Sequence, residues 1–92
     1  MQFIWDDQKA KSNLQKHGVS FEEAATVFSD PLAITFDDPE HSHGEQRFLT
    51  FGQSFLTRHK LLIVAHTDNV DTIRIISARQ MTNHELRIYR ND

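Results

Sequence analysis

Ninety-two residues, 38% of them hydrophobic, suffice for one compact domain over 1–92, since a chain of this size buries a little over ~60% of its unfolded surface. The longest uncharged apolar run, 61–65, falls far short of the ~20 residues of a membrane helix, the N-terminus lacks the pattern of a secretion signal, and there is no cysteine, so a cytoplasmic location is expected and disulfide scaffolds, thiolate zinc sites and cysteine nucleophiles are excluded. The net charge of −3 divides unevenly: 1–45 carry three lysines against nine acidic residues, a net of −6, whereas 46–92 carry seven cations against four acidic residues, a net of +3. Six of those seven cations are arginines, whose planar fork matches phosphate, so the C-terminal half is where an anionic partner is expected.

Residues 3–5 are apolar and strand-like, but too short to stand alone, so they form an edge strand or pack under a later element. Asp6 or Asp7 caps a helix running to His17, closed by Gly18, with a thin apolar face of Ala10 and Leu14. Ser20 and Glu23 form a capping box for a second helix, whose Phe21, Ala24, Ala25 and Phe28 share one face and which stops before Pro31. The period then changes from helical to alternating. Residues 32–36 read as a strand, 37–44 as a polar loop, and 47–55, 60–67 and 72–79 as three strands of an antiparallel meander, with Asp68 and Asn69 supplying the last turn. Thr82 and Glu85 make another capping box, opening a helix to Tyr89. The fold class is α+β: two N-terminal helices, an antiparallel β-sheet meander and a C-terminal helix, with the helices on one face of the sheet.

Several motifs, in this order, resemble the BrnT toxin family: Trp5-Asp6, Asn13, Lys16-His17-Gly18-Val19-Ser20-Phe21-Glu22-Glu23-Ala24, Val27-Phe28-Ser29-Asp30-Pro31, Asp38-Pro39-Glu40-His41-Ser42 with Gly44-Glu45-Gln46-Arg47, and Arg74-Ile75-Ile76-Ser77-Ala78-Arg79. The resemblance runs from Trp5 to about Tyr89. It implies a RelE-like fold, a ribonuclease toxin of a type II toxin–antitoxin module that inhibits translation, and neutralisation by a BrnA-type antitoxin in a hetero-oligomer. Operator DNA is then bound only through the antitoxin. Unlike the basic segment usual in that family, 80–84 carry no Lys or Arg, and a non-catalytic module that keeps only the antitoxin interface is the alternative reading.

RNA cleavage without metal uses the neighbouring 2′-OH as nucleophile, so side chains need only move protons and stabilise charge on the phosphate. Strict alternation places Ile73, Ile75, Ser77 and Arg79 on one face of the last strand and Thr72, Arg74, Ile76 and Ala78 on the other. With the resemblance, Arg79 and Arg74 are candidate catalytic phosphate contacts; without it, strand-end ion pairs explain them. His66 is the candidate acid or base, with a partly buried histidine bonded to backbone as the alternative. Arg47, Lys16, His17 and Tyr89 are candidate RNA-binding residues. A salt bridge from Arg47 to Glu45 or Asp38, a dipole-capping role for Lys16 and His17, and apolar packing for Tyr89 explain them as well. His41 and His43 lie in an acidic loop read as solvated; no cofactor and no metal are expected. Phosphate-cradling Gly-rich loops and nucleophile elbows are absent.

Overall fold

A computed structural model describes residues 1–56 and 59–91; Thr57, Arg58 and Asp92 lie outside it. The element order is β1 (Gln2–Ile4), α1 (Asp7–His17), α2 (Phe21–Thr26), β2 (Ile34–Asp37), β3 (Phe48–Gln53), β4 (Leu61–Asn69), β5 (Thr72–Gln80) and α3 (Asn83–Arg90). Local chemistry explains the helix ends. The Asp6 carboxylate accepts from the amides of Gln8 and Lys9, and Gly18, at φ 69°, donates to Leu14 and closes α1 in the left-handed region that glycine adopts freely. Ser20 caps α2 through the Glu23 amide, but the Glu23 side chain turns inward and accepts from Ser54 Oγ at 2.9 Å. A 3-10 turn, Val27–Ser29, carries the chain from α2 to Asp30 and Pro31. The capping box of α3 is complete, with Thr82 and Glu85 serving each other's amides.

The five strands form one mixed sheet in the order β1-β5-β4-β3-β2. Strands β2 to β5 are the expected antiparallel meander, but the chain does not begin with two helices: β1 precedes them and pairs in parallel with β5, Phe3 opposite Ile73. Helices α1 and α2 thus carry the chain from β1 at one edge of the sheet to β2 at the other, and the meander β2 to β5 returns it to the parallel pairing with β1. The two helices cover one face, where Val19, Phe21, Ala24 and Val27 meet Leu62 and Val64 of β4 and Ile73, Ile75 and Ala78 of β5. Each large side chain buried there stabilises the fold by about 2 kcal/mol. The inward face of α1 is Ala10 and Asn13; Leu14, expected there, is half exposed. Gly52 lets Val27 pack close to β3, because a Cβ there would sit 2.6 Å from Val27 Cγ1 and force that side chain to move. Among the described residues no helix is long and apolar enough to cross a membrane.

Candidate active site

The face of the sheet away from α1 and α2 is shaped by one irregularity. Ala65 pairs with Ser77 and His66 with Ile75, so Ile76 is an extra residue in β5. The bulge resets the alternation, sending Ile73, Ile75 and Ala78 into the core and Arg74, Ser77 and Arg79 to the open face. Strict period two had separated the two arginines and put Ser77 with Ile75; the inserted residue overturns both assignments.

Leu49, Ala65 and Ser77, paired side by side across β3, β4 and β5, line a groove of about 340 Å³ together with Arg47 and Arg79 and with Asp38, Glu40 and His41 from the β2–β3 connection. Arg79 forks onto Glu85, Nη1 to Oε1 at 2.7 Å and Nη2 to Oε2 at 2.8 Å, and Nη1 also reaches the Gln80 carbonyl. This hydrogen bonding holds the Glu85 carboxyl down at about 2 and raises the Arg79 guanidinium. The Nε edge of Arg79 has no protein partner among the described residues. Arg74, on the same face, donates to Glu45. Arg47 therefore pairs neither with Glu45, which is taken by Arg74, nor with Asp38, which is taken by His41; its side chain makes no ion pair among the described residues.

The His41 loop is built rather than loose. Pro39–His41 forms a 3-10 turn in which His41 Nδ1 lies 3.1 and 3.2 Å from the two Asp38 carboxylate oxygens. Ser42 Oγ donates to the Asp38 carbonyl at 2.7 Å and accepts from the Arg47 amide at 2.9 Å, while the Asp38 amide donates to the Arg47 carbonyl, so the turn is tied to the start of β3. Most of the loop is solvent-exposed, in keeping with the sequence reading, which did not foresee the hydrogen bonds that order it. Among the described residues no group of three or more His, Asp or Glu side chains is arranged to hold a metal ion.

His66 is on the other face. It is 1% exposed, between Phe28 and Phe48, with ring centroids 4.9 and 5.8 Å away. Its Nδ1 lies 2.6 Å from Asp68 and its Nε2 2.7 Å from Thr50 Oγ1, which is 2.8 Å from Thr35 Oγ1. A carboxylate can only accept, so Nδ1 carries the proton, and in the neutral ring Nε2 accepts from Thr50. Burial draws the imidazole below its usual value, against the opposing pull of Asp68. The sheet thus separates His66 from the arginines it was expected to join.

Lys16 and His17 end α1, on the covered side, and do not reach the groove. Tyr89 donates its hydroxyl to Asp30 Oδ2 at 2.6 Å, and burial together with that carboxylate pushes the phenol up to about 12. It latches α3 to the turn before β2. A residue given no role from sequence pattern is Asn13: its side chain bonds both the Ala78 amide and carbonyl, at 3.0 and 2.8 Å, fixing β5 just before Arg79.

No curated protein sequence matches the chain significantly. The fold is similar to the crystal structure of the Brucella abortus ribonuclease toxin BrnT, with a TM-score of 0.68 and 22% identity, over 90% of this chain and 99% of that one. Residues 5–85 match the family model of the ribonuclease toxin BrnT of type II toxin–antitoxin systems, and the chain therefore belongs to the BrnT family.

Proposed function

We propose that the chain is the endoribonuclease toxin of a type II pair, RelE-like in fold, and that it cleaves RNA without metal on the open face of the sheet. The observation that carries this reading is the Ile76 bulge, which brings Arg74 and Arg79 to the same face as the groove-lining Arg47, beside the small side chains of Ala65 and Ser77. A phosphate can approach backbone closely over such a row. Attack of the 2′-oxygen on phosphorus puts extra charge on the non-bridging oxygens, and preorganised guanidinium donors stabilise it. Glu85 occupies the end of the Arg79 fork and leaves the Nε edge to donate two parallel bonds to that phosphate. His66, buried behind the sheet, is given no step in the chemistry.

A BrnA-type antitoxin that covers this face would neutralise the toxin, bind the operator on behalf of the hetero-oligomer, and act with it in the cytoplasm. The test is cleavage of RNA by the purified chain in excess chelator, with analysis of the product ends. Cleavage should persist and leave 2′,3′-cyclic or 3′-phosphates; loss of activity restored by a divalent ion rejects the metal-free step. Arg79→Ala should lower the rate about a hundredfold, equivalent to ~3 kcal/mol; the ion pair it breaks is exposed at Arg79 but largely sheltered at Glu85, so the variant should lose about 1–2 kcal/mol of stability yet still melt cooperatively and bind antitoxin.

The engagement of Arg74 by Glu45 and of Arg79 by Glu85 favours a second reading, a module that retains the antitoxin interface without activity. Induction of the chain alone separates the two: arrested growth with broken RNA supports the enzyme, and unaffected growth with intact antitoxin binding supports the module.

A further inference from the structure

We propose that His41, oriented by Asp38, is the general base of the groove. The inference rests on the RNA-cleaving reading and names the proton-transfer group which that reading lacks, since arginines stay protonated and cannot accept a proton. His41 shares the groove with Arg47, Ser77 and Arg79, whereas His66, on the core strand β4, is sealed behind the sheet. The His41 Nδ1 faces both carboxylate oxygens of Asp38, whose side chain is only 14% exposed while that of His41 is 62% exposed. A carboxylate at Nδ1 selects the tautomer with the proton on that nitrogen and the lone pair on Nε2, and stabilises the imidazolium formed when Nε2 is protonated. Among the described residues Nε2 has no hydrogen-bond partner. The Ser42 staple between the Asp38 carbonyl and the Arg47 amide holds this pair in register with an arginine of the same groove.

The step balances. Nε2 takes the proton of the 2′-OH, the 2′-oxygen bonds to phosphorus, and the bond from phosphorus to the 5′-oxygen breaks. The leaving oxygen is protonated by water, the imidazolium returns its proton to solvent, and the products are a 2′,3′-cyclic phosphate and a free 5′-hydroxyl. The charged groups facing His41 across the groove are Asp38, Glu40, Arg47 and Arg79. An imidazole changes charge between about pH 5 and 8, so a limb of the rate profile in that range that disappears in His41→Ala reports the histidine.

The experiment measures cleavage of one RNA by the wild-type chain, His41→Ala, Asp38→Asn and Arg79→Ala across that range, with binding of an uncleavable 2′-deoxy analogue and thermal melting for each. His41→Ala should cleave about a hundredfold to ten-thousandfold more slowly, lose the ascending limb of the pH profile, and regain activity with added imidazole. Its analogue binding and melting should match wild type, because the side chain is exposed and, among the described residues, bonds only Asp38. Asp38→Asn should fall between the two and keep the limb, displaced. Full activity in His41→Ala beside an inactive Arg79→Ala overturns the base and leaves the arginine site standing. A slow His41→Ala that keeps its pH profile and ignores imidazole overturns it equally. Absence of cleavage by the wild-type chain removes the underlying reading and the base with it.

Discussion

His66 shows how far a residue's surroundings outweigh its type. An imidazole between two phenylalanines, bonded at both nitrogens, ties β3 and β4 together inside the core. His66→Ala should therefore act on stability, lowering the unfolding free energy by about 3 kcal/mol through the cavity and the orphaned Thr50 hydroxyl; urea denaturation measures it. The pH dependence has a definite sign. The folded imidazole binds its proton less readily than the free group at 6.5, so the unfolded chain holds more protons once the pH falls below that value. Stability from this residue is complete above pH 6.5 and declines below it. Denaturation at about pH 7.5 and about 5.5, either side of the ordinary imidazole range, should show that decline in the wild type, and His66→Gln should lack this component.

At the scale of elements, the β4–β5 hairpin carries a local conflict. Asp68 and Asn69, expected in the turn, finish β4; Asn69 pairs with Thr72, and the turn residues are Val70 and Asp71. Val70 is 96% exposed and held at φ 46°, where its branched Cβ crowds the backbone. Val70→Gly should therefore stabilise the protein by about 1 kcal/mol and raise the melting temperature by several degrees, with no effect on cleavage. The other end of β5 is secured differently. Its pairing with β1 ends at Arg74, and Asn13 from α1 supplies the donor and acceptor that a longer β1 would have offered to Ala78. One helix side chain thus steadies the strand segment bearing Arg79 beyond the reach of β1.

Over the whole molecule, the acidic and basic halves of the chain do not form two separate surfaces. The β2–β3 connection brings Asp38, Glu40 and Glu45 of the acidic half to the arginines of the basic half, so the open face is mixed in sign rather than uniformly basic. Arg47 makes no ion pair among the described residues, which leaves its charge available to a phosphate. Affinity for an uncleavable RNA should fall with salt, and Arg47→Ala should reduce the slope of log affinity against log salt by about one. Arg74→Ala should reduce it less, because Glu45 already offsets part of that charge. Titrations at several salt concentrations distinguish the two variants.

The amino-acid sequence by itself determined the features decided within a few residues. Asp6 and Gly18 bound α1, Thr82 and Glu85 open α3, and alternating apolar residues mark β3, β4 and β5, because caps and periodicity depend on neighbours along the chain. The family motifs were legible for the same reason, and so was the candidacy of Arg74 and Arg79. Which face those arginines share was decided only in three dimensions, since one extra residue at Ile76 reverses the alternation and is set by the register against β4. The parallel docking of β1 on β5, the burial of His66 beneath α2 and its following turn, and the seating of His41 in the groove likewise depend on hydrogen bonds and packing between distant segments. A histidine in a strand and a histidine in a loop look alike in sequence; the tertiary structure gives one a dry core and the other a carboxylate partner beside the arginines.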